Sequence, residues 1–166
     1  ANGTPVILAK FGLFKSLSIP VDFGYKIKGE PVFGETKTYR GIFGGIVSAL
    51  IVAGLQMFFY HYRPEYHYLF LFPYESVMIV LLGYLQGLGV GLGDLLKSYC
   101  KRRKHIKSTE PFVPWDQMDS WGAILLSLFI FVPSWPHLLA MLFVSPFLSI
   151  LANSIAYLFK WKKVWW

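Results

Sequence analysis

Residues Ile42–Tyr60 form nineteen consecutive positions without a single charged side chain. A run of this length constrains the chain more than any other feature, because a hydrocarbon core takes about 20 apolar residues of helix to cross. Three further runs repeat the pattern: Tyr68–Asp94, which carries Glu75 near its start, Trp115–Trp135, apolar only after Asp119, and Leu138–Phe159, whose most polar side chain is Asn153. The expected fold is therefore an all-α integral membrane protein with four complete transmembrane helices. Composition agrees: 55% of the 166 residues are hydrophobic and only 15% are charged, against about a quarter charged in soluble domains. The fragment TPVILAKFGLF near the N-terminus is too short and interrupted to span alone, and reads as an interfacial segment or the tail of another helix.

The cations orient these spans. Six precede the first run (Lys10, Lys15, Lys26, Lys28, Lys37, Arg40), and Arg63 alone separates the first from the second. Six follow the second (Lys97, Lys101, Arg102, Arg103, Lys104, Lys107), none separates the third from the fourth, and Lys160, Lys162 and Lys163 come last. Fifteen of the sixteen thus fall on one side, which the positive-inside rule makes cytoplasmic. The expected location is the cell membrane, multi-pass, with the working surface on the cytoplasmic side. The net charge of +7 points to anionic lipid or a phosphorylated small molecule, and no nucleic-acid partner is expected of so apolar a chain.

Little sequence remains outside the spans. Two stretches, residues 9–41 and 95–114, face the cytoplasm in this reading, so residues 1–166 are expected to form one transmembrane domain whose chemistry is built from these loops and the helix ends beside them. Asp94 closes the second run where the basic block begins, and Asp116 and Asp119 stand three apart at the start of the third, on one helical face. Clustered carboxylates in so apolar a protein are costly unless something binds them. Mg²⁺ suits them, because it takes one or two carboxylates and leaves its other positions to water and phosphate oxygens. Lys37, Thr38 and Arg40, before the first run, suit a phosphate. A second account stays open here: basic loops beside transmembrane helices also serve as orientation signals that touch anionic lipid.

Other chemistries find no support. Cys100 stands alone and no cysteine–histidine spacing suggests zinc. Gly83, Gly87, Gly89, Gly91 and Gly93 are not followed by Gly-Lys-Ser/Thr, so a Walker loop is rejected and close helix packing is expected of them. Glu75 reads as a structural acid near the interface, His61 and His67 as belt residues and His105 as a loop residue.

The order Gly93-Asp94, Ser98, Lys101-Arg102, Lys107, then Asp116 with Asp119 resembles the signature region of the lipid cytidylyltransferases. In the phosphatidate-using members an Asp follows the last Lys and a Gly-His-Gly-Gly run precedes the acidic pair; here Ser108 and Pro111-Phe112-Val113-Pro114-Trp115 stand in those places. Pro20-Val21-Asp22-Phe23-Gly24 followed by Phe33-Gly34-Glu35-Thr36-Lys37-Thr38-Tyr39-Arg40-Gly41 is instead similar to the CDP-archaeol synthase family. The resemblance implies transfer of CMP from CTP to 2,3-di-O-geranylgeranylglyceryl phosphate, with Mg²⁺ as cofactor. It assigns Asp94, Asp116 and Asp119 to the metal, those three and Lys101 to catalysis, and Ser98, Lys101, Arg102, Lys107, Lys37, Thr38 and Arg40 to the phosphates. It also implies a fifth helix ahead of the Asn2-Gly3-Thr4-Pro5-Val6 position, so the chain is expected to be trimmed or only partly present at its front. CTP, the isoprenoid lipid phosphate and membrane lipids are the expected partners, and the oligomeric state stays open, a homodimer included. The alternatives are a bacterial-type phosphatidate cytidylyltransferase and a small non-enzymatic transporter or scaffold.

Overall fold

The computed structural model describes residues 4–70, 77–107 and 110–160. In order these form α1 (Thr4–Lys10), a hairpin of β1 (Lys26–Ile27) and β2 (Glu30–Pro31), α2 (Tyr39–Tyr62), α3 (Val77–Arg103), α4 (Ser120–Ser127) and α5 (Trp135–Leu158). Short 3₁₀ turns occupy Lys15–Leu17, Pro64–Leu69 and Trp115–Gln117. Glu75, at the start of the second expected span, lies outside the described residues.

Among the described residues three helices, not the expected four, are long and apolar enough to cross a membrane: Tyr39–Tyr62, Met78–Arg103 and Trp135–Leu158. The third apolar run fails to span. Its helix α4 holds eight residues, and at 1.5 Å per residue covers about 12 Å of a core about 30 Å thick. Both ends fall inside the apolar run. Trp115–Gln117 form a separate 3₁₀ turn before it. Beyond it the chain turns over residues 128–130 and runs without helix through 131–134. Hydropathy counted those residues as apolar without registering that break.

The α3 glycines set the packing. A Cβ at Gly87 would lie 2.5 Å from Ile46 Cα on α2, and one at Gly89 would lie 2.5 Å from the Gly122 carbonyl oxygen on α4. The two neighbours therefore meet α3 backbone to backbone, as small residues permit in membranes. One turn along, a Cβ at Gly93 would lie 2.5 Å from the Asp119 carbonyl oxygen. Helix α5 joins by a different device. Pro146 has no N–H to offer the Leu142 carbonyl, and the Trp121 indole of α4 donates to that oxygen at 3.2 Å. The buried apolar core is small (Leu8, Ala53, Ile79, Leu82, Leu95), while Phe129, Phe143 and Leu158 are more than three-quarters exposed. Such an apolar exterior is unsustainable in water and suits lipid.

The segment between α1 and α2 is ordered and mostly non-helical. Lys26 pairs with Pro31 and Ile27 with Glu30, around a turn in which Lys28 and Gly29 both have positive φ, 53° and 84°. Two left-handed residues in a two-residue turn match the twist of paired strands. Asp22 accepts from the backbone N–H groups of Gly24, Phe33 and Gly34 at 3.1, 2.9 and 2.9 Å. Arg103, in the last turn of α3, donates to the carbonyls of Ile27, Glu30 and Pro31 at 2.8, 3.3 and 2.7 Å, and so docks the hairpin on the helix end.

Candidate active site

Helix α3 continues past Asp94 to Arg103, so much of the expected second loop is helical. Asp94, Lys97 and Lys101 recur at i, i+3 and i+7 and share one face of it. Opposite stand Asp116, in the 3₁₀ turn, and Asp119, immediately before α4. The close approach at Gly93 and Gly89 brings those two carboxylates onto this face.

The three acids converge on one ammonium. Lys97 Nζ lies 2.8 Å from Asp119 Oδ2, 3.1 Å from Asp94 Oδ1 and 3.8 Å from Asp116 Oδ1. Lys37, arriving from the first loop, donates to both oxygens of Asp94 at 2.7 and 2.6 Å. Lys101 donates to the Glu110 carbonyl at 2.7 Å and to Asp116 at 3.2 Å. The second Asp116 oxygen also accepts the Phe112 N–H at 2.6 Å, which closes the turn that presents it. Three formal negative charges thus face three positive ones in a pocket of low exposure: the Asp119 and Lys101 side chains are 3% and 6% exposed. One polar atom is left over. Asp119 Oδ1 is buried with no hydrogen-bond partner among the described residues. Among those residues no ready-made group of three or more acids, histidines or cysteines stands as a metal shell, because ammonium groups separate the carboxylates.

The residues expected at the site divide accordingly. Asp94, Asp116, Asp119, Lys101 and Lys37 come together. Ser98 is buried on the same face, with its hydroxyl donated to the Asp94 carbonyl at 2.8 Å. Arg102 lies over the first loop, where a Cβ on Gly34 would come 3.7 Å from its Nε. Thr38 is the N-cap of α2, accepting from the Gly41 N–H at 3.4 Å. Arg40 is half-buried in the first turn of α2, with no side-chain partner among the described residues. Lys107 is exposed in the α3–α4 connection, where its backbone N–H donates to Glu110.

Three residues that the sequence analysis did not single out belong to the frame. Lys97 was visible only as one cation in a block, although its i+3 spacing from Asp94 was a usable signal. Arg103 and Asp22 act through backbone groups of a hairpin that sequence spacing does not reveal. Burial alone would raise the Asp22 carboxyl, but its backbone N–H donors outweigh that and hold it below its ordinary value.

A model of the CarS-like family, CDP-archaeol synthase, matches residues 6–166. A CDP-archaeol synthase of Pyrococcus abyssi is 34% identical over 100% of this chain and 90% of its own. One of Methanospirillum hungatei is 32% identical over 89% of this chain and 90% of its own. The chain belongs to the CDP-archaeol synthase family. A solved intramembrane enzyme for archaeal membrane lipids biosynthesis shares the fold, with a TM-score of 0.66 at 20% identity over 91% of this chain and 89% of that one. Family membership makes the chain a CTP-dependent lipid cytidylyltransferase of the membrane, and the transporter or scaffold alternative falls.

Proposed function

We propose that the protein transfers CMP from CTP to 2,3-di-O-geranylgeranylglyceryl phosphate at the cytoplasmic face, giving CDP-archaeol and pyrophosphate. In this reading residues 1–166 act as one domain and the two basic stretches, 9–41 and 95–114, form its working surface. The single observation that carries it is the meeting of Asp94, Asp116 and Asp119 with Lys37, Lys97 and Lys101 at the end of α3. Twelve of the sixteen cations lie in these two stretches, which the crossings of α2 and α3 return to one side, and this supports the cytoplasmic placement.

The chemistry asks little of a general base. A lipid phosphate monoester, with a second pKa near 6, is already largely dianionic at neutral pH. Its oxygen attacks the α-phosphorus of CTP, forming one P–O bond as the bond to pyrophosphate breaks. What the protein must supply is placement and compensation of charge. Lys101 and Arg102 suit the nucleotide phosphates, Arg102 through its planar fork. Arg40, half-buried on the first turn of α2, suits the lipid phosphate, whose chains remain between helices in the bilayer.

The residues present fit Mg²⁺. Three hard carboxylate donors meet around a cation, at present the Lys97 ammonium, and the buried Asp119 Oδ1 still lacks a partner. Asp94, Asp116 and Asp119 would hold the ion, which when bound neutralises and orients phosphate oxygens. Asp94→Asn and Asp116→Asn keep size and remove the charge. Each should lower turnover by roughly 10²–10³-fold, the scale of losing one preorganised electrostatic contact, while the protein still extracts and unfolds normally. The assay follows radiolabelled CTP with detergent-solubilised protein, comparing the isoprenoid ether-lipid phosphate with diacyl phosphatidate. Near-normal turnover of Asp94→Asn at limiting Mg²⁺ would remove the acid cluster from the reaction, and a preference for the diacyl lipid would overturn the substrate.

A further inference from the structure

The odd member of the charge cluster is Lys97. Lys37 holds both oxygens of Asp94, and Lys101 is anchored to the Glu110 carbonyl as well as to Asp116. Lys97 is placed differently: its ammonium alone faces all three carboxylates, at 2.8 and 3.1 Å with a third at 3.8 Å, and bonds nothing else among the described residues. It is also the one partner that Asp119 has there, and the other Asp119 oxygen is buried and unpaired. The cluster is therefore a cation site with a cation already in it, tethered to α3 by a flexible four-carbon stem.

We propose that Lys97 is a resident counter-cation, whose ammonium holds the three carboxylates together while no divalent ion is bound and is displaced when one enters. The inference rests on the reading above that these acids take a divalent metal. A metal of the Mg²⁺ class draws carboxylate oxygens to about 2.0–2.1 Å. It cannot do so on the oxygens of Asp94 and Asp119 while a positive ammonium sits between them, since like charges at that separation repel strongly in a site of low exposure. Metal entry is thus a competition with the protein's own side chain. Lys97 yields because it alone sits among all three carboxylates, whereas Lys101 is also held by the Glu110 carbonyl and Lys37 contacts Asp94 alone. The arrangement keeps the acids from repelling one another in the metal-free protein and lowers the apparent affinity for a free ion. The displaced ammonium, one turn from Lys101, becomes available to the phosphates of an arriving nucleotide.

The test uses the full chain in detergent and Mn²⁺ without nucleotide, its binding followed by electron paramagnetic resonance. Apparent affinity falls in proportion to the fraction of time the site is open, so a lysine occupying it about 90% of the time weakens the ion about tenfold. Lys97→Met and Lys97→Gln should therefore bind Mn²⁺ about tenfold more tightly than the unmodified protein. They should also melt at lower temperature in chelator and recover more on adding Mn²⁺. Unchanged or weaker Mn²⁺ binding by either folded variant overturns the proposal. If neither folds, the unmodified protein still decides. Amine-reactive labelling read by mass spectrometry should find Lys97 protected in chelator and reactive with Mn²⁺ alone, and unchanged labelling overturns it. Asp94→Asn with Asp119→Asn separates the two readings. Loss of Mn²⁺ binding there, beside unaltered affinity in Lys97→Met, sinks only the displacement. Full Mn²⁺ binding in the double variant sinks the metal reading and the displacement together.

Discussion

Gly93→Ala asks whether the distance between two helix backbones governs the chemistry. An added Cβ would stand 2.5 Å from the Asp119 carbonyl oxygen, with the carbonyl carbon and Cα of Asp119 at 3.3 and 3.5 Å. A carbon–oxygen contact closes at about 3.3 Å, so the backbones must separate by roughly 0.8 Å. No rotamer can relieve the clash, because these three Asp119 atoms are main chain rather than the end of a side chain. Overpacking of this kind costs about 1–3 kcal/mol. The displaced residue is the one whose carboxylate lies 2.8 Å from Lys97, and a misplacement near 1 Å at a reacting centre can cost about 10²-fold in rate. Gly93→Ala should lower the detergent melting temperature modestly and turnover by about two orders of magnitude. Gly91→Ala is the matched control, since its Cβ would meet Ile42 side-chain carbons at 3.4 and 3.5 Å and the Ile42 Cα no nearer than 3.8 Å. It should keep turnover within roughly threefold, as ordinary van der Waals contact permits. Equal turnover in the two variants would refute the claim that the α3–α4 approach positions the acids.

Two further outcomes concern the first loop. Asp22→Ala strips the acceptor from three backbone N–H groups and should cost about 1–3 kcal/mol, measured as faster hydrogen exchange across residues 22–34. Because the Asp22 carboxyl is held below 3.8, its contribution is complete above that pH and is lost as pH falls through the lowered value. Protection of the loop should therefore fade only in strong acid, and Asp22→Asn should abolish that step. Arg103→Ala removes the donor to three hairpin carbonyls, so protease cleavage within residues 26–31 should accelerate and KM for CTP should rise. Unchanged cleavage would show that the hairpin docks by other means.

Hydropathy located the outer helices well. The runs Ile42–Tyr60 and Leu138–Phe159 became Tyr39–Tyr62 and Trp135–Leu158, because a span's length is set by the bilayer and little else. The same measure over-read Trp115–Trp135, since a sum of side-chain hydropathies does not register where helical backbone begins and ends, here at Ser120 and Ser127. Within the site, residue types at helical spacing were readable where they stood out chemically, as Asp94, Asp116 and Asp119 did. Lys97 did not stand out among five neighbouring cations, and only the Gly93–Asp119 contact reveals that it faces all three acids. Thr38 carries a second signal that the phosphate reading did not use. A threonine just before an apolar helix is a capping signal, and the structure shows that cap on the Gly41 N–H.

The clamp between the first loop and α3 also imposes an order in time. Lys37 leaves the ribosome 57 residues before Asp94, and Ile27 leaves 76 residues before Arg103. At about 5–20 residues per second the first of these gaps lasts roughly 3–11 s. Through that interval the hairpin has no guanidinium to close on, and the Lys37 ammonium has no carboxylate to neutralise it. It can act only as one more positive charge retaining its loop on the side of synthesis. The same lysine that orients the nascent chain later loses its free charge to Asp94, so topology is read before the centre exists. Assembly of the acid cluster is then a late event of biogenesis, completed only when α4 has been made and Asp119 has closed on Lys97.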